Sequence, residues 1–160
     1  MSPKRIIFHH SADSTELHQF EKINRYHRSL AFPRSSLGYY IGYHYLIEQD
    51  GTLKKAREEN EIGAHDTGEN SNSLGICLAG NFNLHTPKIA ATETAAALIK
   101  DIRTRWPIPV TRFEPHRFDD DTDCPGTLIP DNWLGVEYLK REGSIFHRYF
   151  LTIGELFNLL

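Results

Sequence analysis

A chain of 160 residues is one domain's worth of sequence, and 39% hydrophobic against 24% charged residues is the balance of a soluble globular protein able to bury a substantial core. The formal net charge of -3, with no basic run, provides no electrostatic footprint for a nucleic-acid partner, and none is expected. Two cysteines, Cys77 and Cys124, are too few for a disulfide framework and suit a reducing site of synthesis.

The chain begins Met1-Ser2-Pro3-Lys4-Arg5 and passes at once into Ile6-Ile7-Phe8, an apolar stretch too short for a signal-peptide core. Synthesis in the cytoplasm without a conventional signal peptide is the expectation. Arg5 to His10 reads as a buried strand bounded by Ser11-Ala12-Asp13, and side-chain alternation then sends His9 and His10 to opposite faces. Ser14 is a candidate cap for an amphipathic helix carrying Leu17, Phe20, Ile23 and Leu30 on its apolar stripe and ending before Pro33.

Tyr43 to Gln49 alternates like a strand, and Asp50-Gly51 is the strongest hairpin signal in the chain, because the turn that matches strand twist needs positive φ. It predicts an antiparallel pair with Thr52 to Ala56. Arg57 to Ser73 is polar, too long for a tight turn, and contains Gly63-Ala64-His65, which marks a functional loop. Leu74 to Gly80 is a nearly continuous apolar run, as in a central strand covered on both faces, with Cys77 as a core residue.

Thr92 is a candidate cap for a helix from Glu93 to Trp106, stopped by Pro107, and Val110 to Phe113 reads as a further strand. Strands alternating with helices predict an α/β fold with a central mixed sheet flanked by helices. The last stretch, Ser144 to Leu160, sets Phe146, Tyr149, Phe150, Ile153, Phe157 and Leu160 on one helical stripe. It is expected to be an extra C-terminal amphipathic helix, packed on the domain or on a second copy of the chain as a homodimer contact. It is too short to span a bilayer, and its polar side lacks the Lys/Arg-rich character of an interfacial helix. The expected division is a catalytic domain over 1–142 and this helix over 143–160.

The chemistry concentrates in Phe113 to Gly126. His116 and Cys124 lie eight positions apart, with Asp119-Asp120-Asp121 between them and Pro125-Gly126 after, and the first strand offers His9 or His10 as a further nitrogen donor. Zinc accepts imidazole nitrogen and thiolate sulfur together, and three protein ligands with an open fourth position mark a catalytic rather than a structural site. A cysteine hydrolase, with Cys124 as nucleophile and His116 as base, is a competing reading. It requires a free thiolate and indifference to chelators.

With those residues in place, the sequence resembles the zinc-dependent N-acetylmuramoyl-L-alanine amidases of the type-2 amidase and peptidoglycan recognition protein family, from about Ile6 to Trp133. Ile7-Phe8-His9-His10-Ser11-Ala12 resembles the family's first ligand strand. Gly42-Tyr43-His44-Tyr45-Leu46-Ile47 with Asp50-Gly51-Thr52 resembles its tyrosine strand and hairpin. Ile62-Gly63-Ala64-His65 resembles its groove loop, Asn72-Ser73-Leu74-Gly75-Ile76-Cys77-Leu78 its central strand, and His116-Arg117 with Thr122-Asp123-Cys124-Pro125-Gly126 its second and third ligands.

The resemblance implies one zinc ion on His9, His116 and Cys124, with Tyr43 and Thr122 beside it as catalytic residues and His65 and Asn72 along the substrate groove. Thr122 stands where phage members often carry lysine and recognition-protein amidases often carry threonine. The implied reaction is hydrolysis of the amide between N-acetylmuramic acid and L-alanine in peptidoglycan. The implied role is that of a phage or prophage endolysin or a bacterial cell-wall hydrolase acting in the wall after release. A non-hydrolytic peptidoglycan-binding module and a recycling amidase on soluble muropeptides are the alternatives. Read without the resemblance, Tyr43 is a packed strand aromatic and Thr122 a turn hydroxyl capping the backbone.

Overall fold

The computed structural model describes residues 1–15 and 17–143. Five strands form one sheet: β1 (Arg5–His10), β2 (Tyr45–Ile47), β3 (Leu53–Lys55), β4 (Ser73–Leu78) and β5 (Phe113–Pro115), in the order β3-β2-β4-β1-β5. The β1, β2, β4 and β5 strands run parallel, and only the β2–β3 hairpin is antiparallel, so the sheet is mixed, as the sequence predicts. The apolar run of β4 sits at the sheet's centre, and all six of its residues are buried.

Helices cover both faces. The even-numbered side chains of β1 and β4, among them Ile6, Phe8, Leu74, Ile76 and Leu78, share a core with Ala95, Leu98, Ile99 and Ile102 of α2 (Ile89–Arg105) and with Leu134 and Tyr138 of α3 (133–143). On the opposite face Phe20 and Ile23 of α1 (Gln19–Ser29) cluster with Leu46 and Cys77. The remaining positions of β1 and β4 on that face are Arg5, Ile7, His9, Ser73 and Gly75, and of these His9 carries a donor atom of the site.

Several boundaries differ from expectation. The helix α1 starts at Gln19, with His18 in a left-handed conformation before it and no side-chain cap of its own, so Ser14 does not cap it. Its first N–H groups are met by the Glu48 carboxylate, which accepts from Gln19 N at 2.9 Å and Phe20 N at 3.3 Å; an anion supplied by the sheet satisfies the helix's orphan donors. Leu17 and Leu30, placed on the apolar stripe by spacing, lie outside the helix and are exposed.

The helix α2 begins three residues before Thr92, whose hydroxyl bonds back to the Lys88 carbonyl at 3.1 Å from inside the helix. Val110 to Arg112 is a 3-10 turn rather than a strand, with the Arg112 N–H spent on Pro109 O at 2.9 Å, and β5 is confined to Phe113–Pro115. The helix at 133–143 was not anticipated. The expected C-terminal helix, from Ser144 onward, lies outside the described residues. Among the described residues no helix is long and apolar enough to cross a membrane.

Candidate metal centre

In an open parallel sheet the carboxyl ends of the strands are where side chains and loops converge to form a site. His9 is the penultimate residue of β1, and His116 follows directly after β5, whose Pro115 pairs with Phe8. The pairing sets the two imidazoles side by side, with ring centroids 4.4 Å apart. The loop after His116 then returns Cys124 to the same place. One ligand atom from each of His9, His116 and Cys124 lies within 4.8 Å of the other two, which brings together the three donors expected from sequence.

The donor set fits zinc in both chemistry and spacing. Cys124 Sγ stands 3.7 Å from His9 Nδ1. Bonds of about 2.0 Å to nitrogen and about 2.3 Å to sulfur, opened to a tetrahedral angle, put two such donors about 3.6 Å apart. His10 points to the other face, where its Nδ1 accepts the Phe82 N–H at 3.1 Å and its ring lies beside Phe82.

Hydrogen bonds behind the ligands decide which nitrogen each presents. His9 is 1% exposed, and its Nε2 meets His65 Nδ1 at 3.1 Å, which turns Nδ1 toward the cysteine. Burial, with the other imidazoles nearby, holds His9 well below the ordinary histidine range, so it is neutral. His116 Nε2 meets Asp120 Oδ2 at 2.9 Å and so leaves Nδ1 for a metal.

Burial pushes the Cys124 thiol up to about 12, although the His10 main-chain N–H and Arg117 favour its anion. Without a cation bound to it, Cys124 is a protonated thiol at neutral pH, which disfavours the free thiolate that a cysteine hydrolase requires.

The ligand loop is clamped by Arg117. Its Nε donates to Asp131 at 2.7 Å, Nη1 to Gly126 O at 3.0 Å and Nη2 to Ile129 O, and its main-chain N–H donates to Cys124 O at 3.0 Å. Thr122 Oγ1 accepts the Cys124 N–H at 3.2 Å, the turn-capping geometry open to a hydroxyl two residues earlier. The Tyr43 ring lies 4.9 Å from that of His9, and burial, with Cys77 and Cys124 close by, raises its phenol well above the usual value. Tyr43 therefore keeps its phenolic proton at neutral pH.

Beside the donors lies a recess of about 360 Å³ lined by Phe32, Ala64, His65, Asp66, Thr67, Asn70, His116 and Asp120. His65 both lines it and supports His9. Asn72 does not line it: its carbonyl accepts Lys4 N at 2.7 Å ahead of β4. Asn70 takes the place expected of Asn72, with Oδ1 accepting the main-chain N–H groups of His65 at 2.7 Å and Asp66 at 3.0 Å. Asp66 is pushed up to about 7 by burial and by Asp119 and Asp120. The sequence alone assigns no role to Asn70, Asp66, Asp120 or Arg117. The one readable signal was Asp120, four residues after His116.

A mixed sheet with helices on both faces and a His–His–Cys donor set at its strand ends defines the class. The chain belongs to the N-acetylmuramoyl-L-alanine amidase family, whose model matches residues 1–127. It is similar to peptidoglycan-recognition protein SC2 of Drosophila melanogaster, at 36% identity over 126 residues, 77% of this chain and 68% of that one. A shorter stretch of 43 residues, 27% of this chain and 28% of the relative, is 44% identical to the endolysin of Escherichia phage T7. Among solved structures, the N-acetylmuramoyl-L-alanine amidase LysC from Clostridium intestinale URNW superposes with a TM-score of 0.70 at 32% identity, covering 81% of this chain and 80% of that one.

Proposed function

We propose that this protein is a zinc-dependent amidase that hydrolyses the bond between the lactyl group of N-acetylmuramic acid and the L-alanine of the stem peptide. The observation that carries the reading is the convergence of the His9, His116 and Cys124 donor atoms within 4.8 Å, at the edge of a polar recess. Zinc held by them supplies Lewis acidity toward an amide carbonyl and toward water.

The chain's own residues do the rest. The contacts of His9 with His65 and of His116 with Asp120 hold the two imidazoles in the orientation a metal needs. Tyr43, kept as a phenol by burial, donates a hydrogen bond to the oxygen on which charge develops, and we assign the Thr122 hydroxyl, two residues before Cys124, the same task from the other side. The recess beside His65 and Asn70 receives the stem peptide. Retention of the cysteine favours hydrolysis over a binding-only module. Similarity to endolysins supports a role as a phage or prophage endolysin or a bacterial wall hydrolase.

The test is to incubate the purified protein with peptidoglycan sacculi and with soluble muropeptides, and to assay for stem peptides with new L-alanine amino termini. Release that stops with a chelator and returns with zinc is expected. Binding to sacculi without release from either substrate identifies a recognition module instead, and release from soluble fragments alone identifies a recycling enzyme.

A further inference from the structure

Asp66 is the residue in this region that the hydrolytic site leaves unexplained. It is 2% exposed, and both of its carboxylate oxygens are buried without a hydrogen-bond partner. An ionised carboxylate in that position costs several kcal/mol unless a cation or donors compensate it. Arg5 makes no ion pair with it: the guanidinium is paired with Glu69, Glu114 and Asp119 and acts on Asp66 only through space. Asp66 faces Asp120 and His116, and one ligand atom from each of the three lies within 4.8 Å of the others. Two carboxylates so placed repel each other, and something positive must lie between them or a proton must be shared.

We propose that Asp66 and Asp120 bind a hard divalent cation of calcium's size, distinct from the ion held by His9, His116 and Cys124. Two carboxylate oxygens within 4.8 Å of each other fit around calcium, which takes about six to eight oxygen ligands at about 2.3–2.6 Å in flexible geometry, whereas magnesium demands a near-ideal octahedron that this irregular pair of loops does not supply. His116 Nε2 already meets Asp120 Oδ2 at 2.9 Å, so the ion takes the second Asp120 oxygen and those of Asp66, with water filling its remaining positions from the open recess. Asp66 belongs to the loop between β3 and β4, and Asp120 to the loop carrying His116 and Cys124. A shared ion therefore ties the wall of the recess to the ligand loop.

The test titrates calcium chloride, with magnesium chloride in parallel, into the zinc-loaded full chain by calorimetry, alongside Asp66→Asn and Asp120→Asn. One calcium per chain with a Kd on the order of 0.1–1 mM is expected. Calcium binding should weaken at least tenfold in each variant, Asp66→Asn should still hold one zinc, and calcium should raise Tm in the parent protein only. Failure to bind calcium by about 10 mM, equal binding in Asp66→Asn, or preference for magnesium overturns the proposal. Absence of calcium binding with Asp66→Asn raising Tm identifies a shared proton in its place. The outcome is separable from the amidase reading, because calcium uptake without zinc retention would remove the hydrolytic assignment and leave this site standing.

Discussion

His9 Nε2 and His65 Nδ1 lie 3.1 Å apart, and that contact sets the protonation pattern of the whole centre. For His9 to offer a bare Nδ1 toward Cys124, its proton must sit on Nε2 and be donated to His65 Nδ1. His65 then carries its own proton on Nε2, 3.5 Å from Ser73 Oγ, and the serine hydroxyl donates to Glu69 O at 2.7 Å. Each donor in this line has one acceptor, so the tautomer of the ligand is fixed from a main-chain carbonyl three groups away.

Replacing His65 with alanine or phenylalanine therefore acts on the metal as well as on the groove. The expected result is a zinc affinity lowered about 10–100-fold, read by competition with a chromogenic chelator. Gln in place of His65, which keeps an acceptor, should recover part of the loss. Unchanged zinc affinity in all three variants would confine His65 to the substrate recess.

Gly75 has a specific reason to lack a side chain. A Cβ there would stand 2.5 Å from His65 Cδ2, so the imidazole occupies the space above β4 that any other residue would fill. Gly75→Ala must push His65 off His9 or strain the strand. A destabilisation of about 1–3 kcal/mol in denaturant unfolding is expected, together with a fall in zinc affinity toward that of the His65 variants. A stability loss without a change in zinc affinity would show that the two imidazoles move together.

The sheet was legible in sequence where one local rule sufficed. The Asp50-Gly51 turn with positive φ at Gly51, the apolar run of β4 and the alternation of His9 and His10 needed no distant information. The helix starts were not legible, since the carboxylate that caps α1 comes from Glu48, 29 residues on, and the Lys88 N–H ahead of α2 is met by Gln49 at 2.8 Å. The three metal donors could be read because thiolate and imidazole are rare and chemically distinctive. Asn70, Asp66 and Arg117 could not, because their roles depend on which loop faces which, and the polar stretch from 57 to 73 carries three Asn, Asn60, Asn70 and Asn72, with equal claims.

Tyr43 and Cys124 separate catalysis from binding. Tyr43→Phe removes only a hydroxyl from a half-buried ring and is expected to keep zinc and stability while lowering kcat about 10²–10³-fold, the usual cost of one oxyanion donor. Cys124→Ala removes a ligand and is expected to lose zinc and activity together, as measured by metal content after gel filtration. Full activity in Cys124→Ala would end the zinc assignment.

Arg117 holds together the segment that carries two of the three ligands, through hydrogen bonds to Asp131, Asp123 O, Gly126 O, Ile129 O and Cys124 O, the last made by its main chain. Arg117→Lys keeps the charge but cannot reproduce the planar fork that reaches several acceptors at once. Both Arg117→Lys and Arg117→Ala are expected to speed amide hydrogen exchange between 117 and 131 and to accelerate zinc loss to a chelator, with α2 unaffected. Exchange unchanged in that segment would show that the loop is held by other contacts.

Acid should unfold the protein through two buried imidazoles that are not among the metal donors. His44 is fully buried, with Nδ1 accepting the Gly75 N–H at 3.0 Å and Nε2 donating to Glu61 O at 3.0 Å, and burial lowers it from 6.5 to about 4. His27 accepts the Gly42 N–H at 3.0 Å, and burial with Arg57 nearby lowers it likewise to about 4. The unfolded chain takes up these protons near 6.5 and the folded one only near 4, so unfolding binds protons between those values and stability rises with pH across the window. The contribution is fully present above pH 6.5 and lost as pH falls toward 4, at up to about 3 kcal/mol for each imidazole. Urea midpoints measured from pH 7 to pH 4 should fall steeply below 6.5. Replacing His27 with glutamine, whose side chain can still accept the Gly42 N–H and does not titrate, should flatten part of that slope. A parent profile level down to pH 4.5 would mean that these imidazoles are solvated in the folded protein.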